Sequence, residues 1–252
     1  MAGHSKWSKV KRIKEVVDAK RGKIFSKLSK EITVAARAGG GNIEMNYRLR
    51  SLIQAARNQN MPNENIERAI QKGTGELESV QYEEIVYEGY GPGGSAFIVE
   101  AATDNRNRTA ANMRAIFTKN HGHLAASGSV TYLFSRKGEI ATYPTNKSEE
   151  EMLDIVLEAG GEELIAQDDG CYTIFAEPEQ LYTVAENVKQ RGVEIELQQL
   201  VYCANNTIHL LETEEINQAL RLYEFLEDED DALNVYVNFD TPSTVNQAAT
   251  LH

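Results

Sequence analysis

The chain has 252 residues, 41% hydrophobic and 25% charged, an ordinary globular composition that excludes a disordered, collagen-like or coiled-coil-rod chain. No stretch approaches the roughly 18 consecutive apolar residues of a membrane-spanning helix, and the opening MAGHSKW is polar and basic, unlike a secretory signal. The formal net charge of −12 hides two opposite parts: residues 1–75 carry 16 Lys and Arg against six Asp and Glu, and residues 76–252 carry 10 against 32.

The first elements read as helices. Val10, Ile13, Val16 and Val17 recur at helical spacing among Lys9, Lys11, Arg12 and Lys14, which predicts a weak amphipathic helix with a basic face. Ile24, Phe25, Leu28, Ile32 and Ala35 predict a stronger one, stopped by Gly39-Gly40-Gly41. Leu49, Leu52, Ile53 and Ala56 predict a helix over about 44–59. Pro62 opens a short helix bearing Ile66, Ala69 and Ile70, and Gly73-Thr74-Gly75 closes it.

The pattern then changes. Residues 82–90 and 95–102 predict a hairpin about the turn Gly91-Pro92-Gly93-Gly94. A helix is expected over 107–120 and a strand over 129–134. The next stretch reads strand 138–143, helix 148–158, strand 163–167, strand 171–176, helix 178–190 and strand 193–202. That order is βαββαβ, the ferredoxin-like arrangement. Strand 207–211, helix 214–227 and strand 233–239 follow, too short a set to bury a core alone. Pairing them with 80–135 solves the problem. The expected fold is therefore α+β: a small helical domain over 1–78, an α+β domain made of 79–135 plus 204–240, a ferredoxin-like domain over 136–203 inserted in it, and a tail over 241–252.

Signatures of catalysis are missing from the sequence. It contains no phosphate-binding loop motif, no nucleophile elbow and no zinc-binding His-Glu-x-x-His. Cys171 and Cys203 have neither metal-ligand nor disulfide-framework spacing, as suits a reducing cytoplasm. His121 and His123 read as a polar helix end rather than a metal pair. The run Glu227-Asp228-Glu229-Asp230-Asp231 reads as a solvated turn, since a calcium loop needs a glycine it lacks. No enzyme activity, cofactor, metal, membrane contact or small-molecule substrate is expected.

The basic residues carry the functional reading. Lys6, Lys9, Lys11, Arg12, Lys14, Lys20, Arg21, Lys23, Lys27 and Lys30 face only two acids within residues 1–30, enough to release counterions from a phosphate backbone. Trp7, the only tryptophan, either stacks on an unpaired base or anchors the helical domain. Arg48, Arg50 and Arg57 form a second cluster; Arg50 and Arg57 are seven apart on one helix face, turned to phosphate or paired with neighbours such as Glu44 and Asn46. A third group is Thr103-Asp104-Asn105-Arg106-Asn107-Arg108-Thr109. Here Asn105, Arg106 and Arg108 at a helix start form either a phosphate site or a capping loop with structural arginines.

Those motifs resemble a known family. The opening Met1–Trp7, the run Asp18-Ala19-Lys20-Arg21-Gly22-Lys23, Asn60-Met61-Pro62, Lys72-Gly73-Thr74-Gly75, Tyr87–Gly94, Thr103–Thr109 and Val235-Tyr236-Val237-Asn238 look like those of the YebC/PmpR family. The mitochondrial translational activator of a cytochrome oxidase subunit is similar in the same way. The resemblance runs along essentially the whole chain. It implies three domains, one helical and two α+β, set around an open cleft, and no enzyme activity. It also implies one of two roles for a cytoplasmic protein. One is a ribosome-associated translation factor that contacts large-subunit ribosomal RNA and relieves stalling on proline-rich sequences. The other is a regulator that binds promoter DNA. On the first, Lys6, Trp7, Lys11, Lys14, Lys20, Arg21 and Lys23 would meet ribosomal RNA. Some positions depart from the pattern: Ile13 and Glu15 make the tail less basic, Tyr47 replaces a usual proline, and Ala125-Ala126-Ser127 replaces a common Gly-Glu-Thr.

Overall fold

The computed structural model describes residues 18–78, 80–167 and 169–240, the side chains of 18–21 excepted. The predicted helix over 10–17 and the tail over 241–252 lie outside the described residues. Within them the chain divides into two compact units. One comprises residues up to Lys27, Val80–Ser135 and the chain from Tyr202. The other comprises Leu28–Ser79 and Arg136–Val201.

The helices of the second unit follow from the apolar spacing. Helix α1 (Asp18–Gly39), whose residues up to Lys27 belong to the first unit, buries Leu28, Ile32, Ala35 and Ala36 along one stripe and ends at the triple glycine. Helix α2 (Tyr47–Asn58) starts where the Asn46 side chain accepts the Leu49 amide at 3.0 Å. The same Asn46 donates to the carbonyls of Ala35 and Gly40, so one buried amide ties the end of α1 to the start of α2. Helix α3 (Asn63–Thr74) has Pro62 as its cap and ends in the left-handed Gly75. Gly73 lets α3 close on α1: a Cβ there would lie 2.4 Å from the Thr33 carbonyl oxygen and 2.6 Å from the Ala36 side chain. The Thr33 hydroxyl donates to the Ala69 carbonyl across this contact.

The same unit contains the βαββαβ run. Strand β4 (Phe134–Thr142), helix α5 (Glu149–Ala159), β5 (Glu163–Ala166), β6 (Tyr172–Ala176), helix α6 (Leu181–Gln190) and β7 (Ile195–Ala204) form a sheet of order β5-β6-β4-β7. That is the ferredoxin-like strand order. Met152 and Val156 of α5 and Leu181, Val184, Ala185 and Val188 of α6 pack with Ile140, Ile174 and Ala176 of the sheet. Ser148 and Glu151 form a reciprocal capping box at the start of α5.

In the other unit, β1 (Glu83–Tyr90) and β2 (Ala96–Thr103) pair antiparallel from Glu83↔Thr103 to Tyr90↔Ala96. Helix α4 (Arg106–Lys119), short strand β3 (His123–Leu124), short strand β8 (Ile208–His209), helix α7 (Thr213–Asp228), β9 (Ala232–Val237) and β10 (Phe239–Asp240) complete it. The sheet order is β3-β1-β2-β9, so residues 232–237 do pair with the hairpin despite the long intervening chain. Phe97, Val99 and Ala101 of β2 alternate inward. They meet Met113 and Phe117 of α4 and Ile216, Ala219, Leu222 and Leu226 of α7. The hairpin turn needs glycine, because Gly93 and Gly94 have φ of +64° and +74°.

Two predicted strands differ. The chain over 129–134 forms no strand of its own; Thr131–Leu133 is a 3-10 turn, and one strand runs on from Phe134. The reason is Glu88, whose carboxylate takes the amides of Gly128, Val130 and Thr131 at 2.6, 2.7 and 2.9 Å. Those donors are then lost to any ladder. The strand predicted over 207–211 shrinks to two residues paired in parallel with Phe239 and Asp240. Leu210 is buried in the core with the apolar residues of α7, and Leu211 is exposed.

Candidate nucleic-acid interface

The basic residues expected to meet nucleic acid fall into three groups. Lys6, Trp7, Lys9, Lys11, Arg12 and Lys14 lie outside the described residues. Lys20 and Arg21 lie on the backbone of α1. Lys23 and Lys27, four apart, share one face of α1. Lys23 Nζ donates to the Asp228 carbonyl at 3.0 Å, and Lys27 Nζ donates to the Glu227 carbonyl. Both carbonyls belong to the last turn of α7. Lys30 continues along α1.

Arg48, Arg50 and Arg57 all sit on α2. Arg57 is exposed in its last turn. Arg50 is turned back on its own helix start. Its guanidinium bonds the Ile43 and Glu44 carbonyls at 3.2 and 3.0 Å, reaches the Glu44 carboxylate at 3.4 Å and covers the Tyr47 ring at 5.1 Å. The Tyr47 ring also stacks on Tyr182 of α6 at 4.7 Å. Of the two readings open for Arg50, pairing with Glu44 is the arrangement seen.

The third group is built as a cap. Asn105 is the cap of α4, and its side chain accepts the Arg108 amide at 3.1 Å. Arg106 is exposed and pairs with Glu83 at 3.5 Å. Arg108 is bound twice, to Asp104 at 2.7 Å and to Asp231 at 2.8 Å. Hydrogen bonds to Asp231 and then to Asp104 hold its guanidinium protonated more firmly than usual. A cation already matched by two carboxylates has little charge left for a phosphate.

Two carboxylates organise this unit in ways that local sequence does not reveal. Asp231 is only 4% exposed and is no part of a solvated turn. Its Oδ2 lies 2.7 Å from the Thr109 hydroxyl and 3.1 Å from the Thr103 hydroxyl, besides Arg108. Its carbonyl takes the Ala102 amide, just beyond the β2–β9 register shift between Glu100 and Ala101. Glu88 is the second. Burial by itself would raise its pKa, but the amides of Gly128, Val130 and Thr131 outweigh that and hold it below the usual carboxylate value. Tyr90, two positions further along β1, donates to the Ser129 carbonyl at 2.7 Å and stacks on His123. Among the described residues, no group of three or more His, Cys, Asp or Glu side chains is placed to hold a metal ion. No helix among them is long and apolar enough to cross a membrane.

Two family models match nearly the whole chain. One, described as the TACO1/YebC protein N-terminal domain, matches residues 5–76. The other, described as the TACO1/YebC second and third domain, matches residues 82–239. A "probable transcriptional regulatory protein" of Persephonella marina is 50% identical over 240 residues, covering 95% of this chain and 96% of that protein. A protein of the same description from Aquifex aeolicus is 48% identical over 247 residues, covering 98% and 99%. The crystal structure of a conserved hypothetical protein from Aquifex aeolicus is similar with a TM-score of 0.83 and 48% identity, covering 90% of this chain and 93% of that one.

Proposed function

This chain belongs to the TACO1/YebC family, and from there we propose that it is a non-enzymatic, nucleic-acid-binding regulator of gene expression that works in the cytoplasm as a ribosome-associated translation factor. In this reading residues 1–78 are the docking domain. The α+β domain of 79–135 plus 204–240 and the ferredoxin-like domain of 136–203 form the acidic body. Lys6, Trp7, Lys9, Lys11, Arg12, Lys14, Lys20, Arg21, Lys23, Lys27 and Lys30 contact large-subunit ribosomal RNA, and docking relieves stalling on proline-rich sequences.

One observation carries the reading. Ten of the chain's 26 Lys and Arg stand within residues 1–30, and they run along α1 and the segment before it rather than gathering at one helix end. Phosphate tracking over a shaped RNA surface uses such a spread. An operator reader instead presents a short recognition helix to base edges. Arg50, Arg106 and Arg108, matched by Glu44, Glu83, Asp104 and Asp231, support this contact less than α1 does.

A second reading is a promoter-binding transcriptional regulator, which the names of the curated relatives favour. Co-sedimentation with ribosomes across a salt series, with mixed-sequence duplex DNA as competitor, separates the two. Large-subunit binding that survives near-physiological salt and resists the DNA supports the translation reading. Loss of binding to the DNA, or no ribosome binding at all, rejects it in favour of the promoter reading.

A further inference from the structure

Helix α7 ends without a cation of its own. Its last turn carries no basic residue, and it runs into five consecutive carboxylates, Glu227–Asp231. A helix C-terminus bears partial negative charge and leaves its last carbonyls without intrahelical partners. Here one of them, at Leu226, takes the Glu229 amide. Those of Glu227 and Asp228 take the ammonium groups of Lys27 and Lys23. The missing cations are thus supplied by α1, some 200 residues earlier in the chain.

The two lysines are among those that the nucleic-acid reading assigns to phosphate. We propose that the C-terminal end of α7 is an internal seat for the basic face of α1, and that RNA must displace α1 from this seat in order to bind. The reason is electrostatic. A phosphate in contact with Lys23 or Lys27 would enter the field of the α7 terminus and of the exposed carboxylates of Asp228 and Asp230, and like charges at such range repel. The seat holds α1 in register when no nucleic acid is present. It also raises the threshold for binding, so that weak polyanions fail to lift it. The identity of the competitor rests on the nucleic-acid reading above; the seat itself does not.

The test uses the full chain. Asp228→Asn/Asp230→Asn weakens the seat while sparing Glu227, which faces the partly buried Tyr223, Glu229, which holds Asn112, and the buried Asp231. Glu149→Gln/Glu150→Gln, on exposed positions of α5, changes the net charge equally elsewhere. Two readouts are taken for each: the acylation rates of Lys23 and Lys27 by an amine-reactive ester, followed by mass spectrometry, and the affinity for a fluorescein-labelled RNA hairpin at low and high salt. The seat variant should acylate faster at both lysines and bind the hairpin about two- to tenfold more tightly at low salt, where the repulsion between carboxylate and phosphate is least screened. The α5 variant should match the wild type. Unchanged acylation in the seat variant overturns the seat. Equal tightening in both variants overturns it too, because net charge would then explain the gain. If no variant binds RNA while acylation at Lys23 and Lys27 still rises, the seat stands and the nucleic-acid reading fails, taking the displacement by RNA with it.

Discussion

Arg108 and Asp231 lie 123 residues apart in the chain and 2.8 Å apart in the fold. The guanidinium is half-exposed, and the carboxylate is buried beneath it. Through Thr103 and Thr109 this pair joins the end of β2, the first turn of α4 and the entry to β9. A motif that reads as a phosphate site is also a structural joint.

Arg108→Ala and Asp231→Ala should both destabilise the fold, for different reasons. Removing the arginine leaves a buried carboxylate without its counter-charge, a loss that reaches about 3–5 kcal/mol when such a pair is fully buried. Removing the carboxylate takes the acceptor from the buried Thr103 hydroxyl, at about 1–3 kcal/mol, while the Thr109 hydroxyl keeps the Asn105 carbonyl at 3.2 Å. Urea unfolding of the two variants compares them. A wild-type midpoint for Arg108→Ala would show that the hydroxyls alone satisfy Asp231.

Glu88 makes part of the stability pH-dependent. Its pKa is lower in the folded chain than in the unfolded one, so the unfolded state takes up protons first as the pH falls. The stabilisation is complete above the ordinary carboxylate pKa and is lost as the pH drops through the lowered value. Wild-type protein should lose stability across that acid range more steeply than Glu88→Gln, and the loop of residues 125–131 should open with it. Parallel stability–pH curves for the two proteins would remove Glu88 as the anchor of that loop.

Lys20→Ala/Arg21→Ala should weaken RNA binding and flatten its salt dependence by about 0.7–0.9 in log–log slope for each phosphate no longer neutralised. Arg108→Ala should leave that slope unchanged, because its charge is already matched by Asp104 and Asp231. Fluorescence anisotropy over a salt series reads both. An unchanged slope in the first variant removes Lys20 and Arg21 from the RNA-binding surface.

Gly73→Ala should destabilise the packing of α3 on α1 by about 1–3 kcal/mol, the usual cost of overpacking. The added methyl would meet the Thr33 carbonyl and the Ala36 side chain. A backbone carbonyl cannot swing aside as a flexible side chain can. Thermal unfolding measures the loss, and an unaltered transition would mean that the helices separate freely.

Tyr47 and Tyr182 should be coupled. Aromatic pairs in this geometry contribute about 0.5–1.5 kcal/mol beyond their burial. A double-mutant cycle of Tyr47→Ala and Tyr182→Ala in urea should return that coupling. Additive losses would make the stack incidental. Proline, the residue expected at position 47 from the family resemblance, suits a first helical position, and tyrosine there exchanges that backbone preference for the stack.

Much of the fold is readable in local pattern. The stripe from Leu28 to Ala36, the breaks at Gly39 and Gly75 and the cap at Pro62 are written within a few residues of the features they cause. So is the apolar run of β2, which is buried on both faces around the half-buried Glu100. The βαββαβ order follows from element sequence alone, and the pairing of β9 with β2 from the need to bury a short set of elements. The 129–134 segment reads as a strand and is not one, because its amides are taken by Glu88, some 40 residues away. Nothing near residue 129 records that.

The candidate site divides in the same way. Sequence by itself determined the helices from α1 to α7, most of the strands, and the concentration of positive charge in the first 30 residues, because periodicity and net charge are properties of neighbouring positions. Only the tertiary structure decided which of those charges are already matched. Arg108 meets Asp231, Arg50 folds back on Glu44, and Lys23 and Lys27 reach the end of α7. A side chain's charge is written at its own position in the sequence. The strength with which it attracts a phosphate depends on what stands within a few ångströms, and folding alone brings those partners together.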